Sequence, residues 1–99
     1  MKALVKPIVL RHAPDAEIIL FGSRARGDAQ PDSDWDFLVL LGSAPTPVLR
    51  QTILDALYDL ELEINEMIST IFRAKEKWDS ALFQATPLHK NVTREGILL

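Results

Sequence analysis

The sequence predicts a small α/β (α+β) domain in which helices flank a mixed β-sheet. Two short, apolar, β-branched runs are typical of buried strands, and they lie on either side of a turn-rich loop at residues 22–33. Segments with apolar residues at every third or fourth position, typical of helices, surround these runs. A chain of 99 residues has room for one hydrophobic core. We therefore expect a single domain over residues 1–99.

The first half of the chain predicts one helix and two strands. Residues 2–13 carry an apolar helical face, and Pro7 either starts this helix or kinks it. Residues 17–21 (EIILF) predict the first strand. Residues 34–41 (DWDFLVLL) predict the second, polar at its start and apolar beyond. We expect these two strands to face each other across the loop at residues 22–33.

The second half predicts a helix, a third strand and a last helix. Thr-Pro pairs at residues 46–47 and 86–87 are favourable first positions of helices. Apolar and polar residues alternate over residues 63–72, which predicts a strand. Residues 75–78 predict a short exposed turn. Gly96 stands where a helix C-terminal cap is expected. The predicted order is therefore α-β-turn-β-α-β-α.

Composition excludes several classes of function. The chain has no cysteine, which rules out disulfides, zinc–thiolate sites and a thiol nucleophile. Its longest apolar runs, residues 18–21 and 37–41, are far shorter than the roughly 20 residues of a membrane helix. The net charge of −3 argues against broad electrostatic binding to nucleic acid. Without a secretory signal pattern, we expect a cytoplasmic protein that does not contact a membrane.

The loop between the first two strands resembles known ligand-binding motifs only in part. A P-loop would need Lys and Ser/Thr directly after Gly22-x4-Gly27, where the sequence has Asp and Ala. A calcium loop that starts at Asp32 would need Gly at its sixth position and Glu at its twelfth, where Phe37 and Ser43 stand. A G-x-G-x-x-G fingerprint is absent. These three readings are therefore rejected.

Two aspartates at the start of the second strand predict a metal site. Asp34 and Asp36 project from the same face, because side chains alternate along a strand. Adjacent carboxylates repel each other unless a cation lies between them, and Mg²⁺ prefers carboxylates together with substrate phosphates. The alternative is a solvated strand entrance with no ligand. We favour a Mg²⁺ site because of the residues that precede the pair.

Those preceding residues predict a phosphate-binding turn. Gly22 allows a close approach of the backbone to phosphates, and Ser23 can donate its hydroxyl and amide to a phosphate oxygen. Arg24 and Arg26 would offset the remaining charge of a triphosphate, or would alternatively pair with neighbouring aspartates on an exposed loop. Together with the aspartates, these residues predict nucleotidyl transfer from ATP or another nucleoside triphosphate.

These same residues resemble a known family. Residues 22–29 (GSRARGDA) and 31–36 (PDSDWD) resemble the signature of the minimal nucleotidyltransferases of the DNA-polymerase-β superfamily: G-S, a short basic loop ending in Gly, then S-D-x-D. Residues 94–98 (REGIL) resemble the end of that family. The resemblance implies a polymerase-β-like sheet and Mg²⁺-dependent transfer of a nucleoside monophosphate. It also implies which residues perform the reaction: Gly22, Ser23, Asp34 and Asp36.

The resemblance further implies a partner. Small free-standing members are often antitoxins of a helical HEPN-domain ribonuclease and transfer AMP to a tyrosine of that toxin. We therefore expect an enzyme with a helical HEPN-type protein partner, and self-association when that partner is missing. One alternative is a weak or inactive nucleotide-binding antitoxin that acts by direct contact. A small-molecule transferase of the aminoglycoside type is less favoured, because 99 residues leave no room for a second domain.

The family's third carboxylate has no evident counterpart. Active members usually carry it on the third strand, but residues 63–71 contain no Asp. Ser69 or Thr70 stands where the carboxylate is expected. Glu66 is the nearest substitute and therefore a candidate catalytic residue, with Glu63 behind it. Without a third acid, the site could bind a Mg²⁺–nucleotide complex and yet transfer slowly.

Several large side chains are candidates for a partner surface. Trp78, Leu82 and Phe83 follow the predicted third strand in a polar segment, and we expect them to contact the helical partner. Tyr58 is expected in the core or at an interface edge. Trp35 is expected on the outer face of the sheet, with stacking on a nucleobase as an alternative.

Overall fold

A four-stranded mixed sheet lies at the centre of the structure, a computed structural model that describes residues 1–99. Its strands are β1 (Glu17–Phe21), β2 (Trp35–Leu41), β3 (Ile68–Ala74) and β4 (Ile97–Leu98). They lie in the order β3-β2-β1-β4. β1 is antiparallel to β2 and to β4, whereas β2 and β3 are parallel. The predicted α+β fold with a mixed sheet is confirmed.

Helices cover both faces of the sheet. They are α1 (Lys2–His12), α2 (Ser23–Arg26), α3 (Pro47–Ile64), α4 (Lys75–Trp78), α5 (Ala81–Gln84) and α6 (Pro87–Glu95). The larger buried cluster joins α1 and α3 to one face of the sheet. A smaller cluster joins α4 and α6 to the other face, with Leu38 and Leu40 of β2 at its centre. No helix is long and apolar enough to cross a membrane.

Local sequence signals account for where the long helices begin. The Thr46 side chain accepts a hydrogen bond from the Leu49 amide at 3.1 Å, with Pro47 as the first helical residue. The Thr86 side chain caps α6 in the same way, accepting from the His89 amide at 3.2 Å. Each hydroxyl satisfies an amide that has no partner within its helix, as the Thr-Pro pairs predict.

The third strand begins later than its predicted range of residues 63–72. α3 continues to Ile64, and Asn65 ends it with a φ of 57°. Ile64 packs against the larger cluster and extends the apolar stripe of α3, lying four residues after the buried Leu60. The Glu61 carboxylate then accepts a hydrogen bond from the Ile68 amide at 2.9 Å, where β3 begins. Burial of a helical stripe thus overrides the alternation in this segment.

The C-terminal segment differs from its prediction in two places. Residues 75–78 form the helical turn α4 rather than an exposed turn, because Trp78 packs beneath the sheet. Gly96 is the C-cap of α6, as predicted, and its amide donates to the Val92 carbonyl oxygen, although its backbone is extended rather than left-handed. A Cβ atom at Gly96 would collide with the Val92 carbonyl and with Ile19, so glycine is needed for close packing. This packing allows the unpredicted strand β4 to pair with β1.

Candidate active site

The turn after β1 has a backbone shape that favours glycine. Gly22 has a φ of 78° and a ψ of −161°, and α2 begins at the next residue, Ser23. A Cβ atom at Gly22 would also collide with the Oδ2 atom of Asp36. Glycine is therefore needed for two reasons, its positive φ and the close approach of the Asp36 carboxylate.

The pairing of β1 with β2 places the two predicted aspartates beside this turn. Asp36 lies opposite Phe21, the last residue of β1. Asp34 precedes β2 and projects from the same face as Asp36, because side chains alternate along the strand. Leu38 continues this face and packs in the cluster beneath α4 and α6. The structure therefore brings Asp34 and Asp36 to the end of the sheet at which the Gly22 turn lies.

The charges around Asp36 suit a divalent cation. Partial burial and the Asp34 carboxylate raise the pKa of Asp36 above its ordinary value; Glu95 adds to this rise and Arg26 opposes it. No group of three or more His, Cys, Asp or Glu side chains is arranged to hold a metal ion. Two carboxylates fit a Mg²⁺ ion that takes its remaining ligands from phosphates and water. Asp34 and Asp36 are the residues that could hold such an ion.

Arg24 is held by the loop that precedes β2. Its Nη2 group donates to the carbonyl oxygens of Pro31 at 3.3 Å and Ser33 at 3.1 Å. Its guanidinium carbon lies 4.6 Å from the centroid of the Trp35 ring, a cation–π distance. The Nε atom is buried and has no hydrogen-bond partner. In this conformation Arg24 holds the loop before β2 in place.

The structure does not bring Glu66 to the aspartate pair. Its Oε1 atom accepts a hydrogen bond from the Trp35 indole nitrogen at 3.2 Å and lies 3.7 Å from Nη2 of Arg24. Trp35 packs against the α1–α3 cluster, on the opposite face of the sheet from the aspartates. Ser69 is instead the residue of β3 in register with Asp36. The third strand therefore places a hydroxyl where a third carboxylate is expected.

Glu95 is a residue of the site that the sequence does not single out. Its side chain is only 8% exposed. The Oε1 atom accepts hydrogen bonds from the Gly22 amide at 3.1 Å and from Nη1 of Arg26 at 3.2 Å, and Nη1 also donates to Oε2 at 3.1 Å. Arg26 is held on its other side by Asp28, whose Oδ2 accepts from Nε at 3.2 Å. The one signal for Glu95 is its place in the REGIL motif.

The largest cavity does not contain the aspartate pair. It has a volume of about 480 Å³ and lies at the C-terminal end of α3, on the face of the sheet that α3 covers. Its lining joins the loop before β2 to α3 and to the start of β3: Pro31, Asp32, Ser33, Tyr58, Glu61, Leu62, Asn65, Glu66 and Met67. Outside this cavity, Asp34 is exposed, whereas Gly22, Ser23 and Asp36 are half-buried.

The structure corrects the expected partner surface. Trp78 is 5% exposed and stacks on the His89 ring, with centroids 4.5 Å apart, so it belongs to the core. Phe83 is half-buried, near the guanidinium of Arg73. Leu82 is 79% exposed and is the one fully exposed member of the predicted set. Tyr58 is also exposed and lines the large cavity, so it is not a core residue.

The fold is a mixed four-stranded sheet with a Gly-Ser turn and two strand aspartates at one end. The chain belongs to the nucleotidyltransferase domain family, which it matches over residues 3–97. It is 37% identical over 82 residues to a bifunctional uridylyltransferase/uridylyl-removing enzyme of Pseudoalteromonas translucida strain TAC 125. That match covers 80% of this chain and 9% of the relative. The chain thus spans about a tenth of the length of the curated relatives that it matches.

Solved structures share the fold over nearly the whole chain. A proposed minimal nucleotidyltransferase is 26% identical with a TM-score of 0.64, and the match covers 99% of this chain and 88% of that one. A second match lies in a complex of the tri-AMPylated HEPN toxin of Shewanella oneidensis with its MNT antitoxin. That chain is 17% identical with a TM-score of 0.56, over 99% of this chain and 71% of that one. The second likeness shows the fold alone.

Proposed function

We propose that this domain transfers a nucleoside monophosphate, AMP from ATP, to a hydroxyl group of a protein partner in a Mg²⁺-dependent reaction. The observation that carries the proposal is the convergence of Asp34 and Asp36 on the Gly22-Ser23 turn. Family membership supports nucleotidyl transfer as the type of reaction. The partner that we propose is a helical HEPN-type toxin, because the fold is shared with the Shewanella toxin–antitoxin complex.

The chain's own residues would bind and orient the nucleotide. Asp34 and Asp36 would hold Mg²⁺, which supplies positive charge to the attacking and leaving oxygens. Gly22 leaves space for close approach of the phosphates. α2 begins at Ser23 without a side-chain cap, so this residue can donate its hydroxyl and amide to a phosphate oxygen.

The reaction joins the acceptor oxygen to the α-phosphorus. The bond between the α-phosphorus and the oxygen that bridges to the β-phosphate breaks, and pyrophosphate leaves. The hydroxyl proton would pass to water, because β3 has a serine and no carboxylate in register with Asp36. Asp34 is exposed and neither aspartate lies in the large cavity, which suits an acceptor that is supplied by another chain.

One observation favours a second function. Ser69 is in register with Asp36, so the third strand contributes a hydroxyl and no charge to the pair. A site with two carboxylates binds a Mg²⁺–nucleotide complex but activates the acceptor poorly. The second candidate is therefore an antitoxin that binds nucleotide and neutralises its partner by direct contact. Transfer of label from ATP distinguishes the two candidates.

Two measurements test the proposal. Isothermal titration of the folded protein with MgATP should show binding that Asp36→Asn weakens, while Asp59→Asn, an exposed charge on α3, leaves it unchanged. Failure to bind MgATP at millimolar concentration contradicts the nucleotide site. Incubation of the HEPN-type partner with α-³²P-labelled ATP and this protein should then label a tyrosine of the partner. Binding of nucleotide and partner without label supports the contact-only antitoxin.

A further inference from the structure

The carboxylate of Glu95 occupies a small cradle of hydrogen-bond donors next to the aspartate pair. The Gly22 amide and Nη1 of Arg26 converge on its Oε1 atom at 3.1 and 3.2 Å. The Glu95 side chain is 8% exposed, whereas the Arg26 side chain is 45% exposed. A half-buried carboxylate thus already lies where a backbone amide and a guanidinium meet.

These donors are of the kind that binds phosphate oxygens. The backbone amide of a glycine can approach an oxyanion closely, because no side chain is in the way. A guanidinium forms charge-assisted hydrogen bonds to carboxylates and phosphates alike. Both donors are engaged by Glu95, and Nε of Arg26 is engaged by Asp28. A phosphate oxygen can therefore reach the Gly22 amide only by displacing the Glu95 carboxylate.

We propose that Glu95 is a specificity-determining residue that masks the Gly22–Arg26 cradle against anions. An incoming phosphate must displace the carboxylate. The affinity for the anion is therefore lowered by the loss of the contacts of Glu95 with the Gly22 amide and Arg26. A single small anion gains too little to do this, whereas a polyphosphate that contacts several groups at once displaces it. This inference rests on the proposed nucleotide site for its biological ligand, but the cradle itself is defined by contacts within the chain.

If Glu95 has a purely structural role, its replacement should affect anion binding differently. Glu95 links the end of α6 to the turn after β1, so its loss could simply loosen the C-terminal segment. Glu95→Gln separates the two roles because the glutamine oxygen can still accept from the Gly22 amide while the negative charge is removed. A structural tether predicts unchanged or weaker anion binding in this variant, whereas a mask predicts tighter binding.

The test uses inorganic tripolyphosphate without divalent cations as the probe. By isothermal titration, Glu95→Gln should lower the Kd of tripolyphosphate about two- to fivefold, the size of one partly screened ion pair. Arg26→Gln leaves the Glu95 and Asp28 carboxylates without their shared cation, so it should raise the Kd of tripolyphosphate. Combined with Glu95→Gln, it should abolish the gain in affinity that Glu95→Gln gives alone. Asp59→Asn is the matched control for net charge and should leave the Kd unchanged. An unchanged or raised Kd in Glu95→Gln overturns the proposal. So does a gain in affinity for tripolyphosphate that persists when Arg26 is also replaced.

A measurement on the wild-type protein covers the case in which Glu95→Gln does not fold. When tripolyphosphate displaces the carboxylate, the Gly22 amide donates to a phosphate oxygen instead of to Glu95. The NMR resonance of the Gly22 amide should therefore shift as tripolyphosphate is added. No change in that resonance up to the highest concentration overturns the mask. ATP titrations of the same proteins address the proposed function separately. Tripolyphosphate binding that behaves as expected, without any MgATP binding, supports the mask and contradicts the nucleotide site.

Discussion

Asp36 of β2 and Ser69 of β3 lie in parallel register, with their side chains on the same face of the sheet. Neighbouring positions of this kind place side chains close enough to share a ligand. The aspartate therefore has a neutral hydroxyl as its neighbour on one side and the Gly22 turn on the other. This arrangement leaves β3 without an acid beside Asp36 and identifies Ser69 as the position at which one can be introduced.

Ser69→Asp should complete the acid group. A third carboxylate in register with Asp36 adds repulsion, so the free energy of unfolding without metal should fall by about 1 kcal/mol. Mg²⁺ should reverse this loss and raise the melting temperature more in the variant than in the wild type. Thermal melts with and without Mg²⁺ measure both effects, and Ser69→Asn is the uncharged control. Equal responses of the aspartate and asparagine variants to Mg²⁺ would contradict a metal site at this face.

The raised pKa of Asp36 predicts a pH dependence of stability. The folded state holds this proton more tightly than the unfolded state, because partial burial and the Asp34 charge disfavour the carboxylate. Stability therefore falls as the pH rises from the ordinary Asp pKa through the raised folded value. Asp36→Asn removes this loss, so the variant should be more stable than the wild type at pH 7. The difference in stability between the two proteins should be smaller at a pH below the ordinary Asp pKa. Urea melts at the two pH values measure the free energy of unfolding, with Asp59→Asn as the control. A difference between variant and wild type that grows at the lower pH would contradict the raised pKa of Asp36.

Two glycines of the loop should respond differently to alanine. Gly22→Ala meets both a positive φ of 78° and a collision with Asp36, so we expect a loss of about 2–4 kcal/mol of stability. Gly27→Ala also has a positive φ, 84°, but has open space around the new Cβ atom, and should cost about 1–2 kcal/mol. Urea unfolding of both variants gives the comparison. Equal losses would show that the Gly22 turn does not approach Asp36.

Trp78 and Leu82 should separate folding from partner binding. Trp78→Ala removes a buried ring that stacks on His89, so stability should fall by about 3–5 kcal/mol. Leu82→Ala removes an exposed side chain and should change stability by no more than about 0.5 kcal/mol. Loss of partner binding in Leu82→Ala without loss of stability would place the interface at α5. Full binding by that variant would place the interface elsewhere on the surface.

Local signals were sufficient for much of the fold. The β-branched run of β1 and the Thr-Pro starts of α3 and α6 are encoded within a few residues, and each lies where the sequence predicts it. The start of β3 could not be predicted in this way, because residues near Ile64 satisfy a helical and a strand period equally. Packing against the α1–α3 cluster decides between them.

The site shows the same division between local and distant determinants. The Gly-Ser turn and the two aspartates are close in sequence and form a recognisable motif. Glu95 reaches Gly22 across 73 residues, and no spacing rule connects the two. Likewise, burial of Trp78 depends on how residues 75–95 fold back over Leu38 and Leu40, which a polar local composition conceals.

The distance along the chain between Gly22 and Glu95 has a consequence during translation. At about 5–20 residues per second, a ribosome adds the 73 residues that separate them in roughly 4–15 s. Until Glu95 has been added, the Gly22 amide and the Arg26 guanidinium of the nascent chain lack this carboxylate. The contact that masks the turn is therefore among the last that the growing chain can form.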